Sequence, residues 1–326
     1  MQGPPYGPPD AYRRWKRRQR RLLIVLGVLI VLEIVLLTRG IMLLRSDGAA
    51  ALAVTPTPTA TATPSPTPSP TPPAPAIQAV AGILLDMSNG AILFTKNGDE
   101  ELPMASTTKI MTIVLALENG NLDQNVTIGA DAVKEGSGDA SHMGVTEGEV
   151  LTMHDLLYGL MLPSGDDVAV AIADAVSKER GRSFVALMNE QAQYLGLTHT
   201  HYVNPDGLDA QGHYTSVTDL VHLTRFALRL PMFASIVSTY EYKIPATSKH
   251  NAYDLKNTNQ LIWPKTGYAG ADGIKTGTTG NAGACLVFSA TRGDHHLIGV
   301  VLGAPGDAGR YGDARKLLDW GFSVVS

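Results

Sequence analysis

The chain has 326 residues with 26 Lys/Arg and 30 Asp/Glu, a formal net charge of −4, and that charge is unevenly divided. Residues 1–76 hold nine basic against three acidic side chains, a charge of +6, whereas residues 77–326 hold 17 against 27, a charge of −10. An acidic body excludes nucleic-acid binding, because the phosphate backbone demands a basic face, and a single cysteine, Cys285, excludes a disulfide within the chain.

In chain order, the first feature is a basic cluster, Arg13, Arg14, Lys16, Arg17, Arg18, Arg20 and Arg21, followed by the nearly unbroken apolar run 22–37. The positive-inside rule makes 1–21 a cytoplasmic tail and 22–44 a transmembrane signal-anchor, with Arg39 snorkelling and 41–44 completing the span. Glu33 within it carries no assigned function. The competing reading is a cleaved signal peptide, because Ala51-Leu52-Ala53 resembles an A-x-A site. On either reading the remainder works outside the cytoplasm, and on the first it stays at the cell membrane as a single-pass protein. Residues 45–76 are a Thr/Pro-rich linker. Its core, 55–76, has nine prolines in 22 residues, which favours extended polyproline II and a spacer of at most about 70 Å at ~3.1 Å per residue.

Residues 77–326 read as one mixed α/β domain. Apolar strands at 82–86 and 91–95 flank Ser88-Asn89-Gly90, a hairpin signal. Residues 106–117 predict a helix that is apolar nearly all round and therefore buried. Further helices are predicted over 153–162, 167–176, 184–195, 219–228 and 312–320, with strands at 284–291 and 297–303. Strands at both ends with helices between them predict an antiparallel sheet closed by the termini and covered by helices, with a helical subregion beside it. Cys285 falls inside a strand and reads as a small buried hydrophobe. His199-x-His201 reads as ordinary loop, since H-x-H alone is not a metal-binding pattern. No metal or other cofactor is expected.

Three short motifs carry chemistry. Ser106-Thr107-Thr108-Lys109 opens the buried helix. A serine there can be an N-cap, but a cation in the first turn opposes the helix dipole, where a capping box would place Glu or Gln. Spacing of three puts the amine on the serine's face, where it can take the hydroxyl proton. Ser164-Gly165-Asp166 supplies a second hydroxyl with a polar partner, and alone would read as a helix cap. Lys275-Thr276-Gly277 continues as Thr278-Thr279, Thr-rich and strand-like. Lys265-Thr266-Gly267 repeats the tripeptide ten residues earlier, but Pro264 disfavours a central strand there. Together the three give an acyl-transfer site without a catalytic histidine.

In these motifs and in others the chain resembles the serine-type D-alanyl-D-alanine carboxypeptidases, the low-molecular-mass penicillin-binding proteins. Met188-Asn189-Glu190, Asn204-Pro205-Asp206-Gly207-Leu208, His213-Tyr214-Thr215-Ser216, Asn257-Thr258-Asn259 and Leu317-Leu318-Asp319-Trp320-Gly321-Phe322 fit the family pattern in order across 77–326. The resemblance implies a penicillin-binding-protein/β-lactamase-like fold and cleavage of the terminal D-Ala-D-Ala bond of a peptidoglycan stem peptide. It makes Ser106 the nucleophile, Lys109 the general base and Ser164 the proton relay to the leaving amine. Lys275, Thr276, Gly277 and Thr278 would bind the substrate's terminal carboxylate, and the N–H groups of Ser106 and Thr278 would form the oxyanion hole. β-Lactam antibiotics would acylate Ser106 as inhibitors. Several relatives add a β-rich domain and a C-terminal anchor. This chain stops at Ser326, so the N-terminal helix is expected to anchor it. The middle motif departs from the family: Asp166 stands where asparagine is usual. If it lies beside Lys109 its charge favours the protonated lysine, so acylation is expected to speed up towards alkaline pH. Two alternatives stay open: a serine β-lactamase, and a catalytically weak wall-binding or sensor protein that keeps the fold.

Overall fold

The computed structural model describes residues 72–138 and 140–325. The basic tail, the expected membrane segment 22–44 and all of the linker before Pro72 lie outside them. Among the described residues no single helix is long and apolar enough to cross a membrane.

Five strands, β1 (Ala81–Asp86), β2 (Ile92–Lys96), β7 (Ala271–Thr279), β8 (Gly283–Arg292) and β9 (His295–Ala304), form one antiparallel sheet in the order β2-β1-β9-β8-β7. β1 pairs with β9 from Ala81↔Leu302 to Asp86↔Leu297, so the two ends of the domain close one sheet, as the sequence leads one to expect. Strand alternation divides the side chains between two cores. Leu84, Leu286, Phe288, Leu297 and Val301 face α8 (Gly306–Val325) with its Leu317, Leu318 and Phe322. Ile83, Leu85, Cys285, Val287, Ile298 and Val300 face the helical region. Every residue of β1 is buried, because both faces are covered.

The centre of the helical region is α1 (Lys109–Asn119), whose first eight residues are all buried. Around it pack α3 (Met153–Met161), α4 (Asp166–Arg180), α5 (Phe184–Leu195), α6 (Val217–Ala227) and α7 (Pro231–Val237). α5 has the bounds its amphipathic pattern predicts. Others differ, each for a physical reason. The helix expected from residue 106 starts at Lys109. Ala105–Thr108 is a tight 3-10 turn with Ala105 at φ +48°, and no side chain caps it, so the capping reading of Ser106 falls. α4 runs past residue 176 through the polar Ser177-Lys178-Glu179-Arg180 to Gly181 at φ +63°, a left-handed C-terminal stop. α8 starts at Gly306 rather than 312, its first turns hidden by three glycines of low helix propensity. Short elements left little periodicity to read: α2 (Ala130–Glu135), α7, the pair β3 (Asn125–Thr127) and β4 (Val150–Thr152), and the pair β5 (Glu241–Ile244) and β6 (Tyr253–Lys256).

The packed body reaches back to Pro72. The N–H groups of Gln78 and Ala79 both donate to the Asp313 carboxylate at 2.8 Å, and Trp320 Nε1 donates to the Pro72 carbonyl at 3.0 Å.

Candidate active site

The nucleophile turn is held by backbone on two sides. A Cβ on Gly277 would stand 3.0 Å from both Ala105 Cβ and Ser106 N, and one on Gly207 would stand 2.0 Å from the Ala105 carbonyl oxygen. Gly207, at φ +97°, needs glycine to let the 204–210 loop close against the turn, and Gly277 lets β7 run directly past the Ser106 N–H, where an added carbon would force the turn to give by a few tenths of an ångström. Ser106 itself stays partly exposed, open to a bound molecule.

Lys109 is 0% exposed. Its Nζ lies 2.9 Å from Ser106 Oγ, 2.5 Å from Asp166 Oδ1 and 2.7 Å from the Asp206 carbonyl oxygen. Three acceptors match the three N–H bonds of an ammonium. If one proton leaves, the amine keeps two donors and turns a lone pair to the serine, the geometry of a general base. The structure thus brings Ser106, Lys109 and Asp166 together. Asp166 does not act as a cap: α4 follows Gly165 with no side-chain cap bond. Ser164 sits at φ +69°, a strained region for a non-glycine residue, two residues from Asp166. Its hydroxyl is nearly buried and hydrogen-bonds to none of the described residues.

β7 supplies the cationic wall. Lys275 is 1% exposed and donates from Nζ to the Thr276 carbonyl at 3.0 Å. Burial above all, with the nearby Lys109 and Arg310 charges, holds its ammonium well below the usual lysine range, against the pull of Asp166. Thr276 Oγ1 meets Thr258 Oγ1 at 2.7 Å. The decoy Lys265 is exposed in a loop after a short 3-10 turn (Gln260–Ile262), where the Thr266 carbonyl accepts from Arg315.

Three contributors escaped the sequence. Arg310 on α8 donates to the Gly277 carbonyl at 2.8 Å and to Thr278 Oγ1 at 2.9 Å, and its buried Nε has no partner among the described residues. Nothing in the sequence links it to the motif more than 30 residues earlier. Asp206 lies inside a quoted family segment but had no role. Burial, opposed by the Leu208 N–H and the Lys109 charge and aided by Asp166 and Glu135, pushes its carboxyl up to about 6. His213 is the third. Thr108 Oγ1 donates to the Ala105 carbonyl at 2.8 Å, so His213 Nε2, also 2.8 Å away, donates to Thr108, while Nδ1 accepts from Val203 N at 3.0 Å. Burial holds the imidazole down to about 4, so it is neutral near pH 7 and fixed in that tautomer.

His213 therefore positions the turn before the nucleophile. His213→Ala is expected to lower the second-order rate of acylation by a penicillin about tenfold, since small displacements of reacting groups are costly. His213→Gln, whose amide both donates and accepts, should restore most of it. Equal loss in both variants, measured at a temperature where both are folded, would exclude the hydrogen-bond chain as the cause.

Among known proteins, the family model described as D-alanyl-D-alanine carboxypeptidase matches residues 68–306. The D-alanyl-D-alanine carboxypeptidase of Streptomyces sp. strain K15 is 38% identical over 76% of this chain and 88% of its own length. D-alanyl-D-alanine carboxypeptidase DacF of Bacillus subtilis is 37% identical over 76% of this chain and 63% of its own. DacC of Escherichia coli is 38% identical over 76% and 62%. The chain thus spans somewhat less than two thirds of the latter two relatives. The crystal structure of the Streptomyces K15 DD-transpeptidase superposes with a TM-score of 0.72 at 36% identity, over 77% of this chain and 99% of that one.

Proposed function

As the chain belongs to the D-alanyl-D-alanine carboxypeptidase family, we propose that its clamped serine turn is the place where a peptidoglycan stem peptide loses its terminal D-alanine. Ser106 Oγ gives its proton to Lys109 and attacks the carbonyl between the two terminal D-alanines. The N–H groups of Ser106 and Thr278 hold the resulting oxyanion, preorganised by β7 lying against the turn. Lys109 hands that proton through the Ser164 hydroxyl to the departing amine, D-alanine leaves, and water hydrolyses the acyl-enzyme. Lys275, with Thr276 and Thr278, takes the substrate's terminal carboxylate, a charge-assisted contact. Arg310 adds its own charge behind Thr278. The observation that carries this reading is the 2.9 Å contact of a buried lysine amine with a partly exposed serine hydroxyl. Free D-alanine should appear on incubation with a stem pentapeptide. Penicillin labelling without any D-alanine release would instead favour the wall-binding or sensor alternative.

β-Lactams, as mimics of the acyl-D-Ala-D-Ala group, acylate the same serine on this reading. The chain is held at the outer face of the cell membrane by residues 22–44, supported by the basic cluster before them. An intact N-terminus on membrane-associated protein is the expected finding, and a mature N-terminus near Val54 would replace the anchor with a cleaved signal.

Asp166 sets the resting state. Its carboxylate pairs with Lys109 at 2.5 Å, both side chains buried, and this pairing must loosen before the amine can act as a base. Aspartate only accepts hydrogen bonds, whereas asparagine could touch lysine and a substrate carbonyl at once. Asp166→Asn is expected to raise peptide turnover several-fold near pH 7. Equal turnover in the two forms would mean that the carboxylate does not govern Lys109.

A further inference from the structure

Away from the active site, the least accounted-for feature is a cluster of N–H donors on the last turns of α6 and just past its end. Arg225 follows His222 on α6 at a spacing of three, which shares a helix face, and Arg229 stands in the turn just past the helix end at Ala227. With Phe226 they line a groove of about 300 Å³. Arg225 also lies against the β1–β2 turn, where a Cβ on Gly90 would stand 3.4 Å from both of its terminal nitrogens. Like charges four residues apart repel one another. Among the described residues neither arginine has an ion pair or a side-chain hydrogen bond to offset this. The negative end of the helix dipole accounts for one cation in the last turn. It does not account for three donors lining one groove in a body that carries a charge of −10.

We propose that this groove binds a phosphate group. Arg225 and Arg229 present two guanidinium forks to its oxygens, the geometry in which arginine outperforms lysine. His222 adds an N–H, and Phe226 receives the apolar part of whatever carries the phosphate. The carrier is either a small soluble phosphate ester or the headgroup of an anionic lipid.

The test uses the full chain in micelles of a zwitterionic detergent and reads thermal unfolding. One arm titrates inorganic phosphate and glycerol phosphate against chloride at equal ionic strength. The other replaces part of the detergent with phosphatidylglycerol or, as control, phosphatidylcholine. A ligand that binds only the folded form raises the midpoint, so a response in either arm supports the site and identifies the carrier. The double substitution Arg225→Gln/Arg229→Gln should weaken that response about tenfold or more, and Arg225→Lys should weaken it less. Neither change should alter the rate of penicillin labelling, which shows that the variants are folded. No response in either arm, or an equal response in the double variant, overturns the proposal.

Discussion

Ser106→Ala is expected to abolish covalent labelling by a fluorescent penicillin and to lower D-alanine release by roughly 10³-fold or more, as loss of a nucleophile does elsewhere. The fold should survive. The hydroxyl is partly exposed and sits in a turn set by Ala105 and two glycines rather than by its own side chain. What the variant loses structurally is one of the three acceptors around Lys109, on the order of 1 kcal/mol for a hydrogen bond. The midpoint of thermal unfolding should therefore move by only a few degrees. Labelling of the alanine variant at the wild-type rate would remove Ser106 from the mechanism.

Lys275→Ala should be clearly damaging, though less so than Ser106→Ala, and should act through a different step. A charge-assisted contact to a carboxylate is worth about 1.5–3 kcal/mol, roughly one to two powers of ten in acylation rate. Lys265→Ala, at an exposed loop position, should change the rate less than about twofold. pH separates the two further. On the proposed reading the ammonium form binds the carboxylate, and burial lowers the pH at which Lys275 gives up its proton. The charged form is the one lost as pH rises, so wild-type acylation should fall on the alkaline side earlier than an ordinary lysine would impose. In Lys275→Ala that fall should be absent. A larger loss in Lys265→Ala than in Lys275→Ala would place the carboxylate-binding strand ten residues earlier.

What the sequence disclosed follows from how local each feature is. β8 and β9 were legible because both are apolar and joined by Gly293-Asp294, a two-residue connection between Arg292 and His295. α5 was legible because its run is amphipathic from Phe184 to Leu195. Ser106 with Lys109, and Asp166 with its motif, were legible because helical spacing and charge at a helix start are short-range patterns. The true start of α1 was not, because the turn at Ala105 is imposed by Gly207 and Gly277, which arrive from elsewhere in the chain. Arg310 and His213 were hidden for the same reason. Each reaches the site across a long sequence separation, and neither carries a local signal that distinguishes it from a surface arginine or a loop histidine.

The paired glycines also constrain how a cell could escape a β-lactam. One route to tolerance is a residue that narrows the pocket for the inhibitor more than for the natural peptide. At Gly207 there is no such residue to find, because any added carbon would meet the Ala105 carbonyl oxygen at 2.0 Å, and at Gly277 an added carbon would press on the same Ser106 turn at 3.0 Å. The inhibitor and the stem peptide would lose their reaction together. Selection for tolerance is thereby directed away from the strand and loop that flank the serine, towards positions such as Asp166 where the side chain, rather than the backbone, sets the chemistry.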